Sequence, residues 1–284
     1  MSIPTHSSTT NENRQEQVFV RADDGCLLSV HILQRGREGF PPILMVHALA
    51  MDASMWRASA AALPAEFPVV VIDCRGHGDS DKPAGPYSVE GFAGDLLNVL
   101  DALRYERAIV VGCSMGGTVA LAFAGRHSER TAGLVAIDTT AWYGENALLN
   151  WSQRGEIALR DGMQALIDFQ CERWFSPDFR AAHPAVVAEA ISVFLKNDTT
   201  AYAQACSLLG RADERAAITA YRGPAVVMVG AEDYATPLSM AQEIVSRIPQ
   251  AKLIVVCKAR HYTPLEAPNE IAAAISELGR TVVA

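Results

Sequence analysis

The sequence has no paired cysteine motif. Its six cysteines (Cys26, Cys74, Cys113, Cys171, Cys206 and Cys257) are scattered, with neither CxxC nor metal-ligand spacing. That argues against a small disulfide framework and against a zinc site of the usual pattern. No apolar run reaches the length of a membrane span, so no membrane partner is expected. The opening residues MSIPTHSSTTNENRQEQ lack the basic start and apolar core of a secretory signal. They read as a flexible tail over residues 1–16. With reduced thiols, this points to the cytoplasm. No Lys/Arg-rich run exists and the net charge is -8, which speaks against nucleic acid as a partner. No GxGxxG fingerprint is present, and neither a metal nor a nucleotide cofactor is called for.

What the chain does have is length and apolar content. Half of its 284 residues are hydrophobic, enough for a large core in one domain with an insertion or in two domains. Short β-branched runs recur: PILMV (42–46), VVVI (69–72), AIVV (108–111), GLVAI (133–137), AVVMV (225–229) and KLIVV (252–256). Continuous runs of this kind fit strands buried on both faces. QVFVRADD and LLSVHIL look like an opening antiparallel hairpin. Helical patterns lie between the runs. One starts after Ser88, which can cap it. Another starts at Thr236, with Pro237 in the first turn, where proline is tolerated. Strand alternating with helix predicts an α/β fold with a mostly parallel eight-stranded sheet covered on both sides.

The alternation stops between about 144 and 218. Four helical segments are expected there, with Trp151, Phe169, Trp174, Phe175 and Phe194 concentrated among them. The domain reading is therefore a core over 17–143 and 219–284, interrupted by a helical lid over 144–218.

In VVGCSMGGTVA, residues 110–120, a strand run ends at Gly112 and a helical pattern starts after Ser114. Gly112-x-Ser114-x-Gly116 between strand and helix is the pattern of a sharp turn that exposes a nucleophile. The helix N-terminus behind it can stabilise an oxyanion. A serine hydroxyl needs a base. Of the seven histidines, His261 is the candidate, in the loop after the last strand run. His6 lies in the tail, His31 in an early strand, His127 at a helix end and His183 in the insertion. His47 and His77 lie in loops where they can serve as structural hydrogen-bonding groups. Asp233, after the penultimate run, is the orienting carboxylate, with Glu232 and Asp138 as rivals. The order Ser114, Asp233, His261 suits such a triad on an α/β sheet. Oxyanion donors would be the backbone N–H groups of Met115 and Leu49. Cys113 is expected to point away from the site. In DCRGHGDSDKP (73–83), Asp73 and Arg75 are expected to pair and hold loops together.

These motifs in combination resemble the α/β-hydrolase superfamily: HALA, DCRGHGDSDKP, GCSMGG, GAEDYATP and RHYTPLEAP, covering nearly the whole chain after the tail. Within it, GCSMGGTVAL, DTTAWYG and DGMQALIDFQCERWFSPDFR are most similar to 3-oxoadipate enol-lactonases. That resemblance implies the α/β-hydrolase fold and an acyl transfer to water that opens an enol-lactone of a dicarboxylic acid. The chain departs from the superfamily's commoner HGxG, with Ala48 and Ala50 in place of glycine. The resemblance also implies a pocket-facing tryptophan, Trp151. An anionic lactone would want a cation, for which Arg154, Arg160 and Arg173 are candidates; Arg173 and Trp151 are taken as the substrate-binding pair. The expected partner is a small-molecule ester or lactone. Alternatives on the same residues are a carboxylesterase, a cofactor-free perhydrolase, a C–C bond hydrolase, or a ligand-binding receptor on a hydrolase scaffold.

Overall fold

A computed structural model describes residues 16–283; the tail expected over 1–16, with His6, lies outside them except for its last residue. Eight strands form one sheet: β1 (Glu16–Arg21), β2 (Leu27–Gln34), β3 (Ile43–Val46), β4 (Val69–Ile72), β5 (Ala108–Cys113), β6 (Thr131–Ile137), β7 (Ala225–Gly230) and β8 (Ala251–Val256). Their order across the sheet is β1-β2-β4-β3-β5-β6-β7-β8. The β1–β2 and β2–β4 pairings are antiparallel, and all the others are parallel.

The β-branched runs occupy the strands as the sequence predicts, and β3 to β7 are buried throughout. KLIVV is the exception. As β8 it forms the sheet edge and is only half buried, with Val255 exposed. An edge strand has a neighbour on one side only, so an apolar run there need not be covered on both faces.

The helices are α1 (Arg57–Ala61), α2 (Val89–Ala102), α3 (Met115–Arg126), α4 (Ala147–Asp161), α5 (Ile167–Trp174), α6 (Pro177–Ala182), α7 (Pro184–Leu195), α8 (Thr199–Arg211), α9 (Leu238–Arg247), α10 (Thr263–Glu266) and α11 (Pro268–Val283). Ser88 caps α2 by accepting the Gly91 N–H at 3.0 Å. Pro237 precedes α9 in an extended conformation, so that helix starts at Leu238, two residues beyond the start at Thr236 that the pattern suggests. The Thr236 hydroxyl has another partner, described below. No helix among the described residues is long and apolar enough to cross a membrane.

The stretch between β6 and β7 holds five α-helices, α4 to α8, rather than four segments. Pro177 and Pro184 each start a helix, and a proline that opens one helix cannot continue the one before it. The two ends of this insertion meet. Trp142 and Asp213 form an isolated β-bridge, and the Glu214 N–H bonds to the Ala141 carbonyl at 2.7 Å. Glu214 also pairs with Arg126 of α3. The insertion's aromatic residues pack together and onto the core, with Trp174 touching Phe175 and Phe194 of the insertion and Tyr262 after β8.

The expected Asp73–Arg75 pair does not form. Arg75 instead forks onto Asp95 of α2, at 2.7 and 2.5 Å, and reaches Asp24 in the β1–β2 turn at 2.6 Å. Asp73 is turned under the loops, where it accepts the N–H groups of Ala53 (2.7 Å) and Asp79 (3.1 Å) and meets His31 at 3.2 Å. Both residues hold loops together, but in separate networks.

Candidate active site

Four parallel strands end at the same edge of the sheet, and each continues into a loop with a chemically useful group. β3 leads to His47 and the HALA loop, β5 to Ser114, β7 to Asp233, and β8 to His261.

The turn at Ser114 is as sharp as its glycines suggest. Ser114 has φ 54°, a left-handed conformation unusual for a residue with a side chain. A Cβ at Gly112 would sit 2.1 Å from the Gly116 carbonyl oxygen, and one at Gly116 would sit 2.2 Å from the Val46 oxygen. Only glycine lets the strand, the turn and β3 approach this closely. The Thr139 hydroxyl donates to the Ser114 carbonyl at 2.7 Å and braces the turn.

Ser114 Oγ lies 2.9 Å from His261 Nε2, and His261 Nδ1 lies 2.8 Å from Asp233 Oδ2. An ionised carboxylate only accepts, so Nδ1 carries the proton and donates to Asp233. Nε2 is then free to accept from the Ser114 hydroxyl. All three groups are nearly buried, with Ser114 8%, His261 7% and Asp233 6% exposed. Asp233 is held by its own loop: the N–H groups of Ala235 (2.7 Å) and Thr236 (3.1 Å) donate to Oδ1, and the Thr236 hydroxyl donates to Oδ2 at 2.7 Å. Burial pushes the Asp233 carboxyl up, but His261 and these donors outweigh it and hold it below the usual carboxylate range. The chain of bonds can remove a proton from Ser114 while Asp233 stabilises the resulting imidazolium.

The two rival carboxylates are elsewhere. Glu232 pairs with Arg260 at 3.4 Å. Asp138 bonds to the backbone N–H groups of Gly230 and Thr263, not to His261.

Met115 directly follows Ser114, and Leu49 lies in the loop after β3. Met115 is the first residue of α3. Neither amide N–H is among the loop, turn and cap donors of the described residues. The loop bearing Leu49 is fixed by His47. Its Nδ1 bonds to the Ala48 carbonyl at 2.7 Å, and its Nε2 accepts the Cys74 N–H at 2.9 Å. That pattern requires the neutral ring, and burial pulls the His47 pKa down accordingly. Ala50 takes a left-handed conformation (φ 60°), and its carbonyl accepts from Asn197, beyond the end of α7, at 2.9 Å. His77 is buried against His47. Cys113 is also fully buried, with Sγ 3.9 Å from the His261 carbonyl oxygen.

The three arginines proposed for an anionic ligand separate clearly. Arg160 pairs with its neighbour Asp161 on the surface. Arg154 and Arg173 have no carboxylate within 4 Å among the described residues. They rest on aromatic rings instead: Arg154 4.4 Å above Trp151 and 5.1 Å from Phe169, and Arg173 5.2 Å from Phe169 and 5.7 Å from Tyr234. Trp151 in turn packs edge-on against Tyr143 at 5.3 Å. Arg173 immediately precedes Trp174, whose carbonyl accepts the His261 N–H at 3.1 Å, and Tyr234 immediately follows Asp233. Burial, and after it the like charge of Arg154, pulls the Arg173 guanidinium down. Both guanidinium groups lie against the Phe169 ring with no ion-pair partner within 4 Å among the described residues, and such an arginine shelf can accept an anion.

Thr236, Asn197 and the Trp174 carbonyl hold the loops of the candidate site, and the sequence reading missed them. Thr236 reads as the start of a helix by pattern, and a backbone carbonyl leaves no mark in residue identity.

Residues 41–268 match the family model for the alpha/beta hydrolase fold. The chain is 28% identical over 234 residues to 3-oxoadipate enol-lactonase 2 of Acinetobacter baylyi, covering 82% of this chain and 86% of the relative. Among solved structures it resembles the enol-lactonase of Burkholderia xenovorans LB400, with TM-score 0.86, 32% identity and coverage of 92% of this chain and 99% of the other. It also resembles a malate-bound thermophilic esterase from Thermogutta terrifontis, with TM-score 0.87, 28% identity and coverage of 95% and 100%.

Proposed function

The chain belongs to the α/β-hydrolase family, and from that premise we propose that it is a serine hydrolase of small carboxylic esters or lactones. The reading rests on one observation above all: Ser114, His261 and Asp233, from three separate loops, form a continuous hydrogen-bonded chain with both links under 3 Å. Ser114 Oγ attacks the substrate carbonyl and His261 Nε2 takes its proton. The tetrahedral oxyanion is held by the N–H groups of Leu49 and Met115, each worth about 3 kcal/mol in such a site. His261 returns the proton to the leaving oxygen. It then activates water, which attacks the acyl-Ser114 ester and releases the acid.

For the substrate we propose a lactone or ester with a free carboxylate, of the enol-lactone kind. The Arg154–Arg173 shelf, which has no ion-pair partner among the described residues, supports this, as does similarity to enol-lactonases. Arg173 meets the carboxylate and Trp151 supports the shelf from below. Helices α4 to α8 act as the lid. The second reading, a carboxylesterase for neutral esters, is favoured by the likeness to the Thermogutta esterase. The six free cysteines support a reducing compartment such as the cytoplasm. The test is labelling with a fluorophosphonate probe followed by peptide mapping. Modification at Ser114 is expected; an intact, folded protein that takes up no label at Ser114 would overturn the reading in favour of a receptor.

A further inference from the structure

Asp138 is a buried carboxylate that the chemistry above leaves unused. It follows β6, has no exposed surface, and holds a left-handed backbone conformation (φ 46°), which costs a residue with a side chain free energy. Its two oxygens join two different loops. Oδ1 accepts the Gly230 N–H at 2.9 Å, and Oδ2 accepts the Thr263 N–H at 3.0 Å. The Gly230 carbonyl in turn accepts the Asp233 N–H at 3.0 Å, and Thr263 lies two residues beyond His261. The two loops are pressed together here: a Cβ on Gly230 would lie 2.1 Å from the Arg260 carbonyl oxygen, and the Glu232 N–H bonds to the Ala259 carbonyl at 2.9 Å. A carboxylate can accept both N–H groups at once. An asparagine would satisfy one and set its NH2 against the other. Burial, and next the charge of Asp233, push the Asp138 carboxyl well up, so a second acid at this point is costly for the fold to keep.

We propose that Asp138 is a positioning residue that spans the acid loop and the histidine loop and thereby fixes the Asp233–His261 alignment. The inference rests on the serine-hydrolase reading. It assigns Asp138 no contact with substrate; the residue acts through the Gly230 and Thr263 amides.

The test uses the full chain as wild type, Asp138→Asn and Ser114→Ala, with a small aryl ester and a fluorophosphonate probe. Asp138→Asn is expected to leave KM within about twofold and to lower kcat by about 10- to 100-fold, the scale of a small misplacement of catalytic groups. Its labelling rate constant should fall in proportion, while labelling still reaches one probe per chain. A merely structural role would instead leave the rate constant unchanged and reduce the fraction labelled, and that result overturns the proposal. So does a kcat within threefold of wild type while Ser114→Ala is inactive. Full activity of Ser114→Ala would sink the hydrolase reading itself, and the inference with it. Should Asp138→Asn fail to fold, Asp138→Glu keeps both acceptor oxygens on a longer arm, and the same slowed, complete labelling is expected of it.

Discussion

The backbone carbonyl of Trp174 accepts the N–H groups of both His261 and Tyr262, at 3.1 and 2.9 Å, while the Trp174 ring stacks on that of Tyr262 at 4.9 Å and 12°. The last residue of an insertion helix thus supports the loop that carries the proposed base. Insertion and core are one mechanical unit at this point. Trp174→Ala, which empties a buried ring position, should lower the unfolding free energy by about 3–5 kcal/mol. Urea denaturation checks that figure. The same variant should also lose kcat, and Trp174→Phe should retain most of both.

The arginine shelf makes a separable prediction about substrate charge. Arg173→Met keeps an apolar arm against Phe169 and Tyr234 but removes the charge. A charged hydrogen bond contributes about 1.5–3 kcal/mol, so kcat/KM for an ester or lactone with a free carboxylate should fall by about 10- to 100-fold. For a neutral ester of similar size it should change less than about threefold. Equal losses on both substrates would mean that the arginine acts through folding alone.

The Asp73–His31 contact sets a pH window for stability. Burial pushes the Asp73 carboxyl up, but the bonds from His31, Asp79 and Ala53 outweigh it and hold the group at about 2, against an ordinary value of 3.8. A folded-state value below the unfolded one means stability that is present above pH 4 and lost as the pH falls towards 2, on the order of 2 kcal/mol. His31 shifts the other way. The hydrogen bond to Asp73 outweighs burial and raises its pKa above 6.5, so its contribution is present below that pH and lost as pH rises through the shifted value. Urea midpoints measured from pH 2 to 8 should therefore show the pair contributing most between about pH 4 and 6.5. Asp73→Asn should flatten both flanks.

The fold was legible in the sequence wherever one residue type has one dominant use. The β-branched runs became strands because a parallel sheet buries both faces, and Gly112 and Gly116 marked the turn because no side chain fits there. Ser114, Asp233 and His261 could be picked out because each follows a strand run, and strand ends share one edge of the sheet. Side chains with several possible partners were not legible. Arg75 was expected on Asp73, two residues away, but lies on Asp95 and Asp24, which are far away in sequence. Thr236 stands at the start of a helical pattern, yet its hydroxyl serves Asp233. The exposure of β8 depends on its position at the sheet edge, which its own residues do not encode. Arg154 and Arg173 could be distinguished from Arg160 only by what stands beside them: aromatic rings in one case, Asp161 in the other.

The central claim is that Ser114 is the nucleophile of an acyl transfer. The most direct measurement is kcat of wild type and Ser114→Ala on one small ester or lactone, under the same conditions and with folding verified for both. Removing the nucleophile of a serine triad costs about 10⁴- to 10⁶-fold, and a loss in that range is predicted. Turnover by Ser114→Ala equal to that of wild type would contradict the account.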